Sequence, residues 1–171
     1  MYHITHEQSA DAPAIETLLD QCFGPERHTK TVYKVRQYTV PIDDLCYVAK
    51  VGGKLLAAIK YWPLLVGGKT PAILLGPIAV HPDHQGEGMG IALISHTLKR
   101  AKELGHKLVI LVGDPDYYKR FGFVSAFDNG LLMPGPVDVH RFLVCELEPG
   151  ALVGAKGSID GVKNKTRQPA R

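Results

Sequence analysis

The sequence predicts an α/β fold of the α+β kind: a central, mostly antiparallel mixed sheet with one parallel strand pair and flanking helices. Three observations predict it. Apolar runs at 45–51, 54–66 and 72–80 are separated by Gly52-Gly53 and Gly67-Gly68, and paired glycines supply the positive φ angles of tight hairpin turns. Residues 88–104 carry Ile91, Ile94, Leu98 and Ala101 at helical spacing. An apolar run at 107–112 follows, so the helix is a crossover that sets 72–80 and 107–112 parallel.

The other elements fall around this unit. Tyr2 to Thr5 opens as a short strand, and Ser9 or Asp11 caps a helix that presents Ile15, Leu18, Leu19 and Cys22 on one face until Gly24-Pro25 ends it. Residues 26–38 are polar and basic, with Val32 and Val35 spaced as on a second short helix that Pro41 closes. The 72–80 strand is apolar almost throughout, as expected when both faces are covered. Gly105 stops the crossover helix. Asp114 to Arg120 reads as a short helix, and 121–125 and 139–147 as closing strands. No internal repeat or linker divides the body.

A length of 171 residues suits one domain, and 45% hydrophobic with 22% charged residues describes a chain that folds. The net charge of +3 is unevenly placed. Residues 155–171 hold five basic side chains (Lys156, Lys163, Lys165, Arg167, Arg171) against Asp160, a net of +4, which leaves the rest at −1. We therefore read 1–154 as a single domain and 155–171 as a basic, disordered tail. No aromatic residue interleaves the tail's charges, which argues against a nucleic-acid arm. Cys22, Cys46 and Cys145 are far apart and form no C-x-x-C pair, so a reducing cytoplasm is expected. The first residues lack a basic and apolar leader, and no apolar run approaches the ~18 residues of a membrane span.

Gln85-Gly86-Glu87-Gly88-Met89-Gly90 lies between an apolar strand and an amphipathic helix. Backbone N–H groups and the helix dipole favour a phosphate there, and glycine lets it approach closely. A Walker loop would need Lys-Ser or Lys-Thr after these glycines, and none follows. A dinucleotide fingerprint would need a third glycine where Ile91 stands, after an opening βαβ instead of hairpins. What fits is Gln-x-x-Gly-x-Gly at Gln85, Gly88 and Gly90, preceded by Leu75-Gly76-Pro77-Ile78-Ala79-Val80-His81-Pro82. This resembles the acetyl-CoA signature of the GCN5-related N-acetyltransferase (GNAT) superfamily. Leu111 to Phe123 contains Tyr118-x-x-x-Gly122-Phe123, similar to that superfamily's Tyr-x-x-x-Gly-Phe segment. Asp114-Pro115-Asp116-Tyr117-Tyr118 also resembles YhbS-type bacterial predicted acetyltransferases. The resemblance covers roughly residues 2–148.

The resemblance implies a fold in which the strand before the loop splays from its parallel neighbour. It implies acetyl-CoA as co-substrate, with Ile78, Ala79 and Val80 along the pantetheine arm. Gly86, Glu87, Gly88, Met89, Gly90 and Ile91 would offer amides to the pyrophosphate, Gln85 would order the loop, and Glu87 would turn its carboxylate to solvent. Asp114, Tyr117 and Tyr118 would lie near the cofactor arm, Asp114 standing where many relatives carry asparagine and favoured as a helix cap. The catalytic pair implied is Tyr118 as general acid and the Val80 N–H as oxyanion donor. A phenol stays protonated at neutral pH yet donates to a departing thiolate.

The general base is not legible, with Glu26, His28, Asp43, Asp44, His81 and His84 as candidates. His81-x-x-His84 has metal spacing but no third ligand, so no metal is expected. Tyr61 and Trp62 read as core or cleft wall, and Cys46 as a buried apolar residue. The expected activity is acetylation of a primary amine by direct attack in a ternary complex. The acceptor is left open between a polyamine-like or aminoglycoside-like molecule, an amino acid and a protein amine. The acids Asp43, Asp44 and Glu26 tilt the choice slightly toward a small cation. Two alternatives stand beside it: a non-catalytic acyl-CoA-binding module, and a toxin-like enzyme acting on aminoacyl-tRNA. Similar proteins are commonly homodimers.

Overall fold

The computed structural model describes residues 1–163. Strand β1 (His3–His6) leads to helix α1 (Ala12–Phe23), a 3-10 turn at Pro25–Thr29 and a short helix α2 (Thr31–Val35). The strands β2 (Tyr47–Val51), β3 (Lys54–Val66) and β4 (Thr70–Val80) form the hairpins. Helix α3 (Met89–Glu103) crosses to β5 (Leu108–Val112), followed by α4 (Pro115–Tyr118), β6 (Val124–Ser125), β7 (Leu131–Leu132), β8 (Phe142–Glu146) and β9 (Gly157–Gly161). The nine-stranded sheet runs β1-β2-β3-β4-β5-β8-β6, with β9 pairing β3 and β7. It is the mixed, mostly antiparallel sheet expected, with β4 and β5 as a parallel pair.

That pair is brief. β4 and β5 meet at Ile73↔Val109 and Leu74↔Ile110, after which β4 runs on to Val80 along β3 alone. Between Ile59↔Ile78 and Tyr61↔Leu75, β4 spends one more residue than β3, which places a bulge at Gly76-Pro77. A bulge bends its strand, and Pro77 has no N–H to offer a ladder. The strands therefore part at this point and leave a gap beside β4.

Three apolar clusters hold the sheet. Leu93, Ile94, Leu98 and Ala101 of α3 pack with Tyr61, Ile73, Val109 and Leu111 on one face. On the other, Ile15, Leu18 and Leu19 of α1 cover Val48, Ala58 and Ala79. Ala155 and Ile159 join Leu64, Val66, Leu74 and Ile110.

Several expectations are corrected. Lys30 is extended (ψ 147°), so the helix expected over 26–38 is broken into a 3-10 turn and α2. The strand expected from Leu45 begins at Tyr47, because Asp43–Leu45 forms a 3-10 turn. The closing strands β6 and β8 are shorter than expected, and no periodicity in the sequence announces β7 or β9. The tail expected from residue 155 is not one at its start: β9 completes the sheet edge, and Ile159 is 0% exposed. Glycines make this possible, since a Cβ on Gly161 would stand 2.3 Å from the Val35 carbonyl oxygen and one on Gly67 2.3 Å from that of Lys156. Lys165, Arg167 and Arg171, and with them the rest of the expected tail, lie outside the described residues.

Candidate active site

The free edge of β4 forms one wall of a cleft. The His81 N–H donates to the Leu56 carbonyl of β3 at 2.7 Å, and alternation along an antiparallel strand turns the peptide edge of Val80 the other way, toward the gap. The Val80 carbonyl accordingly accepts from Gln85 Nε2 (3.2 Å) and Cys22 Sγ (3.3 Å), neither of them on β3. Ile78 shares this edge by the same alternation. Ala79 points its side chain onto α1, and the same alternation turns its N–H and C=O toward Ala58 of β3, so the structure does not bring the expected Ala79 to the cleft.

The glycine loop closes the far end at the N-terminus of α3, whose 15 residues give a full helix dipole. Gly86 (φ 83°) and Gly88 (φ 87°) are left-handed, and a Cβ on either would meet nothing within 4 Å. Gly90 is different: a Cβ there would lie 3.3 Å from the Tyr117 hydroxyl and 3.6 Å from Val80 Cγ2. Ile78, Val80, Gln85, Gly88, Ile91 and Tyr117 are among the residues around this pocket of ≈ 410 Å³. Met89 turns its side chain into the core. The Glu87 carboxylate lies 3.0 Å from His84 Nδ1 on the exposed side of the loop.

Tyr118 closes the pocket from the opposite strand. Asp114 ends the β5 connection and accepts the Asp116 N–H at 3.0 Å, capping α4. That turn carries Tyr117 and Tyr118 toward β4. The Tyr118 ring is 9% exposed, edge-on to Tyr117 and Phe123, and its hydroxyl has no hydrogen-bond partner among the described residues. Burial, with Tyr117 beside it, pushes its pKa up to about 12 against a smaller opposing effect of Arg141.

A second pocket of ≈ 580 Å³ lies on the other side of Tyr118 and Ile78, which border both. It is framed by α2 and the turns around it, the bulge at Gly76-Pro77, and residues 136–141. Sequence reasoning missed its charged lining: Arg27, Lys30, Lys34, Arg36 and Arg141 against Asp114 and Asp138. None of the expected bases Glu26, His28, Asp43 and Asp44 lines it. Asp43 and Asp44 sit on a turn that packs near α3, away from this second pocket, whose charged lining is mostly basic.

The remaining singled-out residues fall elsewhere. Tyr61 is fully buried, its hydroxyl 2.7 Å from that of Thr97, while Trp62 on the opposite face donates to the Gly76 carbonyl and steadies the bulge. Cys46 is buried, and desolvation raises its thiol to about 11. His84 borders the glycine-loop pocket, and His81 Nδ1 accepts the Asp83 N–H at 3.1 Å. Among the described residues no three His, Cys, Asp or Glu side chains group as metal ligands, and no helix is long and apolar enough to cross a membrane.

Residues 3–126 match the acetyltransferase (GNAT) domain family. The Escherichia coli (strain K12) "uncharacterized N-acetyltransferase YhbS" is 28% identical over 155 residues, covering 88% of this chain and 90% of that protein. The crystal structure of Escherichia coli YhbS in complex with CoA superposes with a TM-score of 0.80 at 29% identity, over 94% of this chain and 89% of that one. A GNAT acetyltransferase from Brucella melitensis in complex with acetyl-CoA gives a TM-score of 0.65 at 30% identity, over 87% and 90%. The splayed β4, the glycine loop at the head of α3 and these matches agree, and the chain belongs to the GNAT family of N-acetyltransferases.

Proposed function

We propose that the protein moves the acetyl group of acetyl-CoA to a primary amine by direct attack, with both substrates bound together. The observation that carries this is the pair Ile78 and Tyr118, which borders both the glycine-loop pocket, read here as the donor pocket, and the basic pocket beside α2, read as the acceptor pocket, so two ligands entering from opposite sides would meet there. The donor pocket suits CoA on its own evidence: Gly86 and Gly88 border it, no protein atom lies within 4 Å of where their Cβ atoms would stand, and the helix N-terminus offers N–H groups to a pyrophosphate. Acetyl-CoA supplies a thioester carbonyl for the amine to attack.

The protein's part is position, dipole and proton. The Val80 N–H faces the cleft and would stabilise negative charge developing on a carbonyl oxygen there. The Tyr118 hydroxyl, kept protonated by burial, would hold the proton that a departing sulfur takes up. Asp114 and Asp138 each accept one backbone N–H of their own turn through Oδ1, which holds both carboxylates in those turns, so this reading assigns deprotonation of the amine to solvent. The reaction rate should then follow the acceptor's own ionisation. Thiol release from acetyl-CoA across a panel of amines tests the reading, and silence over the whole panel by well-folded, CoA-binding protein would refute it.

A further inference from the structure

Among the charges lining the acceptor pocket, Arg36 is the most buried that forms no salt bridge among the described residues; Glu16, which pairs with Arg27, acts on it only through space. Arg36 follows α2 and is 7% exposed. Its guanidinium lies 3.7 Å over the Tyr33 ring and 5.2 Å from that of Trp62. Tyr33 is its one polar side-chain partner, and it forms no salt bridge among the described residues. Arg27 nearby is different, being paired with Glu16 and Asp20. Stacking covers the faces of a guanidinium and leaves the N–H groups at its edge to bind something else. Here Nη1 lies 3.8 Å from the Cβ position of Gly76, at the bulge where the cleft opens.

The surroundings reinforce the charge. Lys30, Lys34 and Arg141 border the same pocket, also without salt bridges among the described residues. The pocket's two carboxylates are turned to the backbone N–H groups of Asp116 and His140. A desolvated cation is costly when unpaired, and an incoming anion offsets that cost, whereas a second cation adds repulsion.

We propose that the acceptor is a small primary amine that also carries an oxyanion, carboxylate or phosphate, held by Arg36 while the amine lies toward Ile78 and Tyr118. The identity of the amine as acceptor rests on the transferase reading; the anion site does not. A planar guanidinium takes either oxyanion in two parallel hydrogen bonds.

Calorimetry on the CoA-saturated protein separates the two ideas. The probes are the standard L-amino acids against their carboxamides, and O-phosphoethanolamine against ethanolamine. At least one anionic member should bind about 10-fold or more tightly than its neutral partner, as expected for charge-assisted hydrogen bonds. Preference within the amino acids or for phosphoethanolamine tells carboxylate from phosphate. Arg36→Gln should erase the preference and leave CoA affinity unchanged. Arg141→Gln, on an exposed side chain, should weaken it in a variant whose core is untouched. Anionic probes that bind no better than neutral ones, or not at all, overturn the anion site. Thiol release on the same panel reads transfer: an anionic amine that binds but is never acetylated supports the anion site and overturns the transferase reading.

Discussion

A Cβ on Gly113 would stand 2.5 Å from Cε2 of Tyr118 and 3.2 Å from Leu111 Cδ1. The φ of Gly113 is not left-handed, so space alone demands glycine here. The Tyr118 ring occupies the place where a side chain would be, and Gly113 fixes how far the hydroxyl reaches between the pockets. Gly113→Ala should therefore push the ring aside, destabilise the fold by about 1–3 kcal/mol as overpacking does, and lower kcat about 10-fold or more. Tyr118 also borders the donor pocket, but the substitution leaves the glycine loop itself unchanged, so CoA affinity by calorimetry should fall less than kcat. Unchanged kcat would show that the ring position is immaterial to turnover.

Tyr118→Phe keeps the ring and removes the proton. A lost general acid costs about 10²-fold or more in kcat, while CoA affinity, read by calorimetry, should hold. Because burial holds Tyr118 near 12, the wild-type rate should rise with pH as the amine loses its proton and stay level through pH 10. A fall between pH 8 and 10 that Tyr118→Phe abolishes would mean the phenol ionises near its ordinary value and the proposed origin of its pKa is wrong.

The same burial couples to stability. Desolvation raises the phenols of Tyr61 and Tyr118 above their unfolded values. Between the unfolded value near 10 and the raised one the native state binds more protons than the unfolded chain, so stability falls as pH rises. Urea denaturation should give a midpoint that begins to decline near pH 9, where the raised Cys46 thiol starts to contribute, and declines more steeply above pH 10 as the two phenols join it. Tyr61→Phe loses the hydrogen bond to Thr97, about 0.5–1.5 kcal/mol at neutral pH, but should flatten the alkaline decline. An equally steep decline in Tyr61→Phe would assign it to other groups.

What the sequence made legible was local. The double-glycine hairpins, the helical period of α3 and the spacing of Gln85, Gly88 and Gly90 depend on neighbours in the chain, and β4, α3 and β5 fall within a few residues of expectation. The acceptor pocket depends on tertiary packing. Val32 and Val35 marked a short helix, but only the contact of α2 with β9 and of Arg36 with Trp62 turns a surface-looking arginine inward. β9 carries a single large apolar residue, Ile159, between glycines, so no period announced it. The acids at 43 and 44 misled for the same reason, since their distance from the pocket is set by the sheet and not by sequence order.

Gly88→Ala separates fold from binding at the loop. Gly88 precedes α3 with φ 87°, and an added Cβ would meet no protein atom. The fold should lose only the left-handed strain, about 1–2 kcal/mol. Gly88 borders the donor pocket, so a methyl there should hinder the close approach of a phosphate to the loop and lower CoA affinity about 10-fold or more, the scale of a displaced phosphate contact. Calorimetry and urea melts on one preparation check both halves. Wild-type CoA affinity would exclude the Gly88 backbone from the CoA site.

The last strand tests whether the C-terminal segment belongs to the fold. β9 pairs Gly161, Asp160 and Ile159 with Leu64, Leu65 and Val66 on the edge of β3 that β2 leaves free. Ile159 is sealed there among Val66, Leu131 and Ala155, and cutting a buried isoleucine to alanine costs about 2–5 kcal/mol. Ending the chain at residue 154 would remove that contact, the ladder hydrogen bonds and the wall beside α2 together. Truncation at 154 should therefore lower the urea midpoint more than Ile159→Ala. It should also weaken acceptor binding more than CoA binding, because α2, which packs on β9, frames the acceptor pocket while the glycine loop is remote from it. A truncated protein as stable as the full chain would return the segment to the status of a dispensable tail.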